Sequence, residues 1–124
     1  MIYEKELTNQ IIAAAIEVHR ILGPGLLEST YEDCLCHEFE LRGIRFERQK
    51  ALAVNYKGMQ TSSSYRIDVV VENKVVLELK CTESIAPVHI AQLLTYLRLS
   101  KLKIGLILNF YVPVLRQGIK RIAL

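Results

Sequence analysis

Residues 65–80, YRIDVVVENKVVLELK, carry an aspartate, a glutamate and a lysine in a pattern suited to phosphodiester chemistry. Two alternating apolar runs flank ENK, so the segment reads as a β-hairpin with a three-residue loop at Glu72–Lys74. Opposed positions of an antiparallel pair have a constant sum, and this loop sets it to 146. One face then pairs Ile67 with Leu79, Val69 with Leu77 and Val71 with Val75, as a core-facing surface should. A slip of one residue would set Ile67 against Lys80 and Val69 against Glu78, so the hydrophobic pattern selects the register. The other face pairs Val70 with Val76, Asp68 with Glu78 and Arg66 with Lys80. Directly opposed like charges destabilise a sheet by about 0.2–1 kcal/mol per pair. A divalent cation between the carboxylates relieves that repulsion, and hard oxygen donors suit Mg²⁺ or Mn²⁺ rather than zinc. Glu78 and Lys80 are two apart on one strand and emerge on the same face. An ion there would lower the pKa of a bound water, with the ammonium offsetting charge that grows on a phosphate. A plainer reading stands beside this one: acids and a lysine on a solvated sheet face.

Several elements must position these groups. TNQIIAAAIEVHRIL has apolar residues at 11, 12, 14, 15, 18, 21 and 22, a helical period, with Thr8 or Asn9 as cap and GPG (23–25) as terminator. A second helix is expected from about Leu26 to Arg42, with Leu27, Tyr31, Cys34, Leu35 and Phe39 along one side and Gly43 as its stop. IRFERQ and ALAVNY read as two strands, and KGMQTSSS as turn and loop. Pro87 opens a third helix with a stripe at Ile90, Leu93, Leu94 and Leu97. KIGLILNF (103–110) is a strand buried on both faces, VPVLRQG a turn and IKRIAL a closing strand. The order ααββββαββ describes an α/β or α+β fold with helices on a mixed sheet.

The 124 residues, 51% of them hydrophobic, suit one domain over 1–124. No apolar run approaches the roughly 20 residues of a membrane span, and MIYEKELTNQ lacks the apolar stretch of a secretory leader. Three cysteines (Cys34, Cys36, Cys81) with no CxxC read as reduced thiols, and hence a cytoplasmic location. Cys34, Cys36 and His37 have the wrong spacing for tetrahedral zinc on one helix. Net charge is only +3, but residues 84–124 hold six Lys/Arg (Arg98, Lys101, Lys103, Arg116, Lys120, Arg121) and no acid. That is either a surface for a polyanion or a solvated cationic face.

Asp68 followed after nine residues by Glu78-Leu79-Lys80 resembles the D…(D/E)xK signature of the PD-(D/E)XK nuclease superfamily, although Ile67 rather than proline precedes the aspartate. GLLESTY (25–31) matches the GxxExxY motif, and QLLTY (92–96) the QxxxY element of the RecB-like branch. The resemblance runs from about Ile11 to Ile122 and is greatest to the small GxxExxY proteins. It implies a restriction-endonuclease-like core, with Asp68, Glu78 and the Leu79 carbonyl as metal ligands and Glu28 adding a carboxylate from the second helix. It makes Lys80 the catalytic lysine, with Gln92 and Tyr96 bonding the lysine, the water or a phosphate. From the residues alone, Glu28 is equally a helix-dipole partner, Tyr31 core packing, Gly25 a turn requirement, and Gln92 and Tyr96 a polar border. His89 and His19 are further candidates near such a site, and His37 a surface residue.

The expected function is therefore a Mg²⁺- or Mn²⁺-dependent nuclease acting on DNA, or less favourably RNA. Arg66, Arg98, Lys101, Lys103, Lys120 and Arg121 are its candidate nucleic-acid contacts. The competing function is a catalytically silent nucleic-acid-binding or assembly module of the same fold. A third is a structural homodimer joined through VPVL (112–115).

Overall fold

The strands Val75–Lys80 and Ile104–Asn109 are buried on both sides almost throughout, and the molecule is arranged to cover both faces. A computed structural model describes residues 4–124. Its elements are α1 (Lys5–Leu22), α2 (Glu28–Leu41), β1 (Phe46–Leu52), β2 (Asn55–Tyr56), β3 (Met59–Gln60), β4 (Tyr65–Val71), β5 (Val75–Lys80), α3 (Pro87–Ser100), β6 (Ile104–Asn109) and β7 (Ile119–Ala123). A 3₁₀ turn at Leu115–Gly118 precedes β7. The main sheet has the order β1-β4-β5-β6-β7, antiparallel except between β5 and β6. That parallel pair cannot be joined by a tight turn, and α3 supplies the crossover.

The two faces form separate cores. Ile11, Ala14, Ala15 and Val18 of α1, with Tyr31, Leu35 and Phe39 of α2, pack on Val69, Val71, Val75, Leu77, Leu79, Leu106 and Leu108. On the other side Leu93, Tyr96 and Leu97 of α3 meet Ile67, Val70, Val76 and Ile107. At Gly105 α3 lies so close that a Cβ there would come 2.7 Å from Leu93 Cδ1. No helix among the described residues is long and apolar enough to cross a membrane.

The hairpin register is the expected one: Val69, Val70 and Val71 pair with Leu77, Val76 and Val75. Glu72 and Asn73 turn at positive φ (52° and 58°), closed by Lys74 N–H to the Val71 carbonyl at 2.9 Å. Arg45 steadies this turn, donating its backbone N–H and Nε to the two Glu72 carboxylate oxygens.

Other expectations are corrected. The ladder stops at Val69–Leu77, and Ile67 packs in the α3 core rather than beside Leu79 on the opposite face. The cause is a distortion opposite Asp68. Gln49 has φ 48° and drops out of the β1–β4 ladder, while Arg48↔Val69 and Lys50↔Ile67 flank it. Arg48 and Gln49, neighbours that a regular strand would send to opposite faces, both donate to Glu32 of α2. IRFERQ and ALAVNY share one strand up to Leu52, and KGMQTSSS contains β3, so five strands rather than four precede α3. Helix α1 begins at Lys5, with the Thr8 hydroxyl donating to the Lys5 carbonyl inside it instead of capping it. Leu27 lies before α2 and is exposed, because GPG and the following turn hold it off the core.

Substituting Gly105→Ala is expected to destabilise the fold by about 1–3 kcal/mol through overpacking against Leu93, measured by urea denaturation. Adding Leu93→Ala should recover part of that loss as non-additivity. A single variant as stable as the parent would contradict the close approach of α3.

Candidate active site

The candidate site lies where β4 and β5 part. Beyond Val69–Leu77 the two strands no longer form a backbone ladder, and the Asp68 carboxylate takes over as acceptor. Its Oδ2 receives the Leu79 backbone N–H at 2.9 Å. Glu78, adjacent on β5, is buried, with Oε1 lacking any hydrogen-bond partner among the described residues. An orphaned oxygen of this kind costs about 1–3 kcal/mol or more. Burial above all, then the Asp68 charge and contact with the Asp68 carboxyl, push the Glu78 pKa up to about 9, against a weaker downward pull from Lys80.

Glu28 is the first residue of α2, and its pKa is raised by burial while Lys80 opposes the rise and Asp68 adds to it. Glu28, Asp68, Glu78 and Lys80 thus share one local field. Among the described residues no ion pair engages any of these four. Tyr96 joins them from α3. Its pKa is raised by burial and then by Glu78 and Asp68, and its hydroxyl oxygen accepts Gln92 Nε2–H at 3.1 Å.

GLLESTY is a latch for this arrangement. The Tyr31 ring stacks on Phe110 (centroids 4.5 Å, interplanar angle 9°). Its hydroxyl accepts the Leu26 N–H at 3.2 Å and donates to the Gly23 carbonyl. Gly25 between them sits at φ 100°, a conformation that L side chains rarely adopt. The tyrosine therefore closes the turn from which Glu28 starts its helix. Phe110 in turn donates its N–H to the Lys80 carbonyl at 2.9 Å.

The histidines serve elsewhere. His19 Nε2 is 2.8 Å from the Val112 carbonyl, anchoring the segment after β6. His89 Nδ1 accepts the Ala86 N–H at 3.0 Å and caps α3. His37 is exposed, as expected. The Cys36 thiol is pushed up to about 12, chiefly by burial, so it stays protonated at neutral pH. Among the described residues no three or more His, Cys, Asp and Glu side chains make a ready-built metal cage.

Sequence reasoning missed two supports. Asn109, buried at the end of β6 beside Lys80, bonds both the N–H and the carbonyl of Thr82 and shapes the chain leaving β5. A lone amide closing an apolar strand was its signal. The Glu32–Arg48–Gln49 network had none, since its members lie on different elements.

The predicted cations divide. Arg66 lies on β4 two residues before Asp68, with its Nη1 donating to the Gln49 carbonyl at 3.1 Å. Lys120 pairs with Ile107 and so stands level with Glu78, two strands away. Arg121 donates to Thr8 Oγ1 of α1 at 2.7 Å. Lys103 precedes Ile104, which is level with Val75, and Arg98 and Lys101 lie at the end of α3 that leads there. At about 3.3 Å per strand residue, that edge is about 16–20 Å from Lys80.

The sequence model of the PD-(D/E)XK nuclease superfamily matches residues 5–122, and the chain belongs to that superfamily. Its mixed sheet between two helical layers is the restriction-endonuclease-like core. No curated protein and no solved structure matches the chain.

Glu78 keeps its proton in the folded state between about pH 5 and about pH 9, where the unfolded state has lost it. Stability therefore falls as pH rises through that window, by up to about 1.4 kcal/mol per unit of retained shift. In EDTA, Glu78→Gln should raise Tm near the alkaline end and leave it unchanged near the acid end. Overlapping Tm-against-pH curves for the two proteins would remove the buried charge from the account. Tyr31→Phe should lose about 1–3 kcal/mol in denaturant unfolding, since it leaves two backbone groups of the turn unpaired. An unchanged midpoint would show that the stacked ring alone holds the latch.

Proposed function

We propose that the chain is a divalent-metal-dependent nuclease that hydrolyses phosphodiester bonds of DNA, in preference to RNA, as a single domain in the cytoplasm. The observation that carries the reading is the partnerless Oε1 of buried Glu78 beside Asp68, with Lys80 on the same strand. Two carboxyl groups held together, with no ion pair to either among the described residues, are the donor set of a hard cation. Mg²⁺ or Mn²⁺ fits these oxygens and completes its shell with water, so a closed protein cage is unnecessary. Asp68, Glu78 and the Leu79 carbonyl would hold the ion, with Glu28 contributing from α2 across the site. When bound, the ion supplies an acidified water and charge neutralisation at the phosphate.

The remaining steps belong to the side chains. Lys80 sets its ammonium beside the scissile phosphate, orients the nucleophile and stabilises the negative charge that develops. Tyr96 and Gln92 extend a hydrogen-bonded pair from α3 toward the same place and fix the lysine or a phosphate oxygen. Glu78, whose pKa is raised by burial and by Asp68, would hold such an ion as a carboxylate, with its proton released to solvent. Arg66 and Lys120 lie on the sheet levels that suit phosphates flanking the cut.

A second reading, a nucleic-acid-binding module without turnover, draws on the lack of a three-carboxylate cluster among the described residues. The two readings diverge in one assay with supercoiled, linear and single-stranded DNA in Mg²⁺, Mn²⁺ or EDTA. The nuclease requires metal-dependent cutting that falls at least about 100-fold in Lys80→Ala and in Asp68→Ala. Binding that survives both substitutions, with no cutting by the parent, identifies the module.

A further inference from the structure

Aromatic residues divide sharply between the two ends of the sheet. Among the described residues three tyrosines are exposed: Tyr65 and Tyr111 at the end that carries Lys80, and Tyr56 in the connection that leaves β1 and enters β4 at that end. Tyr65 opens β4, at the end of that strand away from its turn with β5 and so at the end where β5 finishes with Lys80. Tyr111 follows Asn109, the partner of Lys80 on β6. Tyr56 belongs to the β2–β3 hairpin, a two-stranded ribbon separate from the main sheet and inserted between β1 and β4. Its ring, 60% exposed, pairs across the ribbon with Met59, 57% exposed. A two-stranded ribbon gains little stability of its own, so two large side chains held in water there serve something other than a core.

Charge follows the same division. From residue 48 to residue 66 the chain has four cations, Arg48, Lys50, Lys57 and Arg66, and no acid. Arg48 is spent on Glu32 and Asp33, and Lys50 faces Glu47 at 3.8 Å. Among the described residues Lys57 and Arg66 meet no carboxylate. The Lys57 ammonium rests 5.4 Å from the centroid of the Tyr56 ring, and Arg66 donates to a backbone carbonyl. The ribbon thus presents an exposed tyrosine with a cation over one face of its ring, and the chain runs on from it through Tyr65 and Arg66 into the strand that carries Asp68.

We propose that this ribbon receives an unpaired DNA strand, with bases stacking on Tyr56 and Tyr65 and phosphates meeting Lys57 and Arg66, and leads it to the Asp68–Glu78–Lys80 site. Stacking on tyrosine requires a base face that a duplex hides, while ammonium and guanidinium groups follow the backbone of either form. The ribbon therefore selects single strands, frayed ends or flaps. The inference deepens the nuclease reading and rests on it for the word "leads".

Binding is measured by fluorescence anisotropy with a labelled oligothymidylate and a matched duplex, in EDTA, on the Lys80→Ala protein so that nothing is cut. Tyr56→Ala should weaken single-strand binding by about 5- to 100-fold, Tyr56→Phe should restore it, and the duplex should be nearly insensitive. Lys57→Ala should lower the salt slope on the single strand by about 0.7. Equal single-strand affinity with and without the Tyr56 ring, no single-strand binding, or an equal loss on the duplex each overturns the proposal. Cutting by the parent that is undiminished in Tyr56→Ala sinks the ribbon and leaves the nuclease standing. Tyr56-dependent binding with no cutting by the parent does the reverse.

Discussion

A buried glutamate side chain with an oxygen that finds no partner among the described residues is the constraint on which the rest of this structure depends. Glu78 occupies a strand position that by burial belongs to the core, next to a second carboxylate. The fold tolerates it because β4 and β5 are locked together one turn earlier by Val69–Val71 and Val75–Leu77, which are buried on both faces. Past that point the strands can part, since the Asp68 side chain accepts the Leu79 N–H that the ladder would otherwise satisfy. The same carboxylate is thus both a structural acceptor and half of the charge cluster.

Around this centre the polar residues divide into those that build and those that face the site. Tyr31, Asn109, His19 and His89 all spend their polar atoms on backbone groups of turns and caps. Glu32 is neutralised by Arg48 and accepts a hydrogen bond from Gln49, which holds the distorted part of β1 against α2 one helical turn after Glu28. Among the described residues Glu28, Asp68, Glu78 and Lys80 have no ion-pair partner of that kind, and that contrast distinguishes a site from a charge-paired surface.

The distribution of charge along the chain and in space are different things. The acid-free C-terminal third sends Arg98, Lys101 and Lys103 to the far edge of the sheet, because α3 is a crossover that must return to where β6 begins. The cations nearer the site are Lys120 on β7 and Arg66, the latter in a stretch whose charge is masked in any count by Glu47 and Asp68 on either side.

Much was legible in the chain itself. The apolar periods located three helices, the buried strands and the hairpin register, since burial on two faces leaves one alignment that keeps charges out of the core. Opposed Asp68 and Glu78 were visible as a repulsion that needed an explanation, and Lys80 followed from the period of a strand. What the sequence could not contain was the kink at Gln49 and Asp68, which moved Ile67 to the other core and ended the ladder. Nor could it show that Tyr31 is a latch or that the histidines are caps and anchors. Those roles arise from contacts between residues distant in the chain, which only the packing of α1, α2 and β6 brings together.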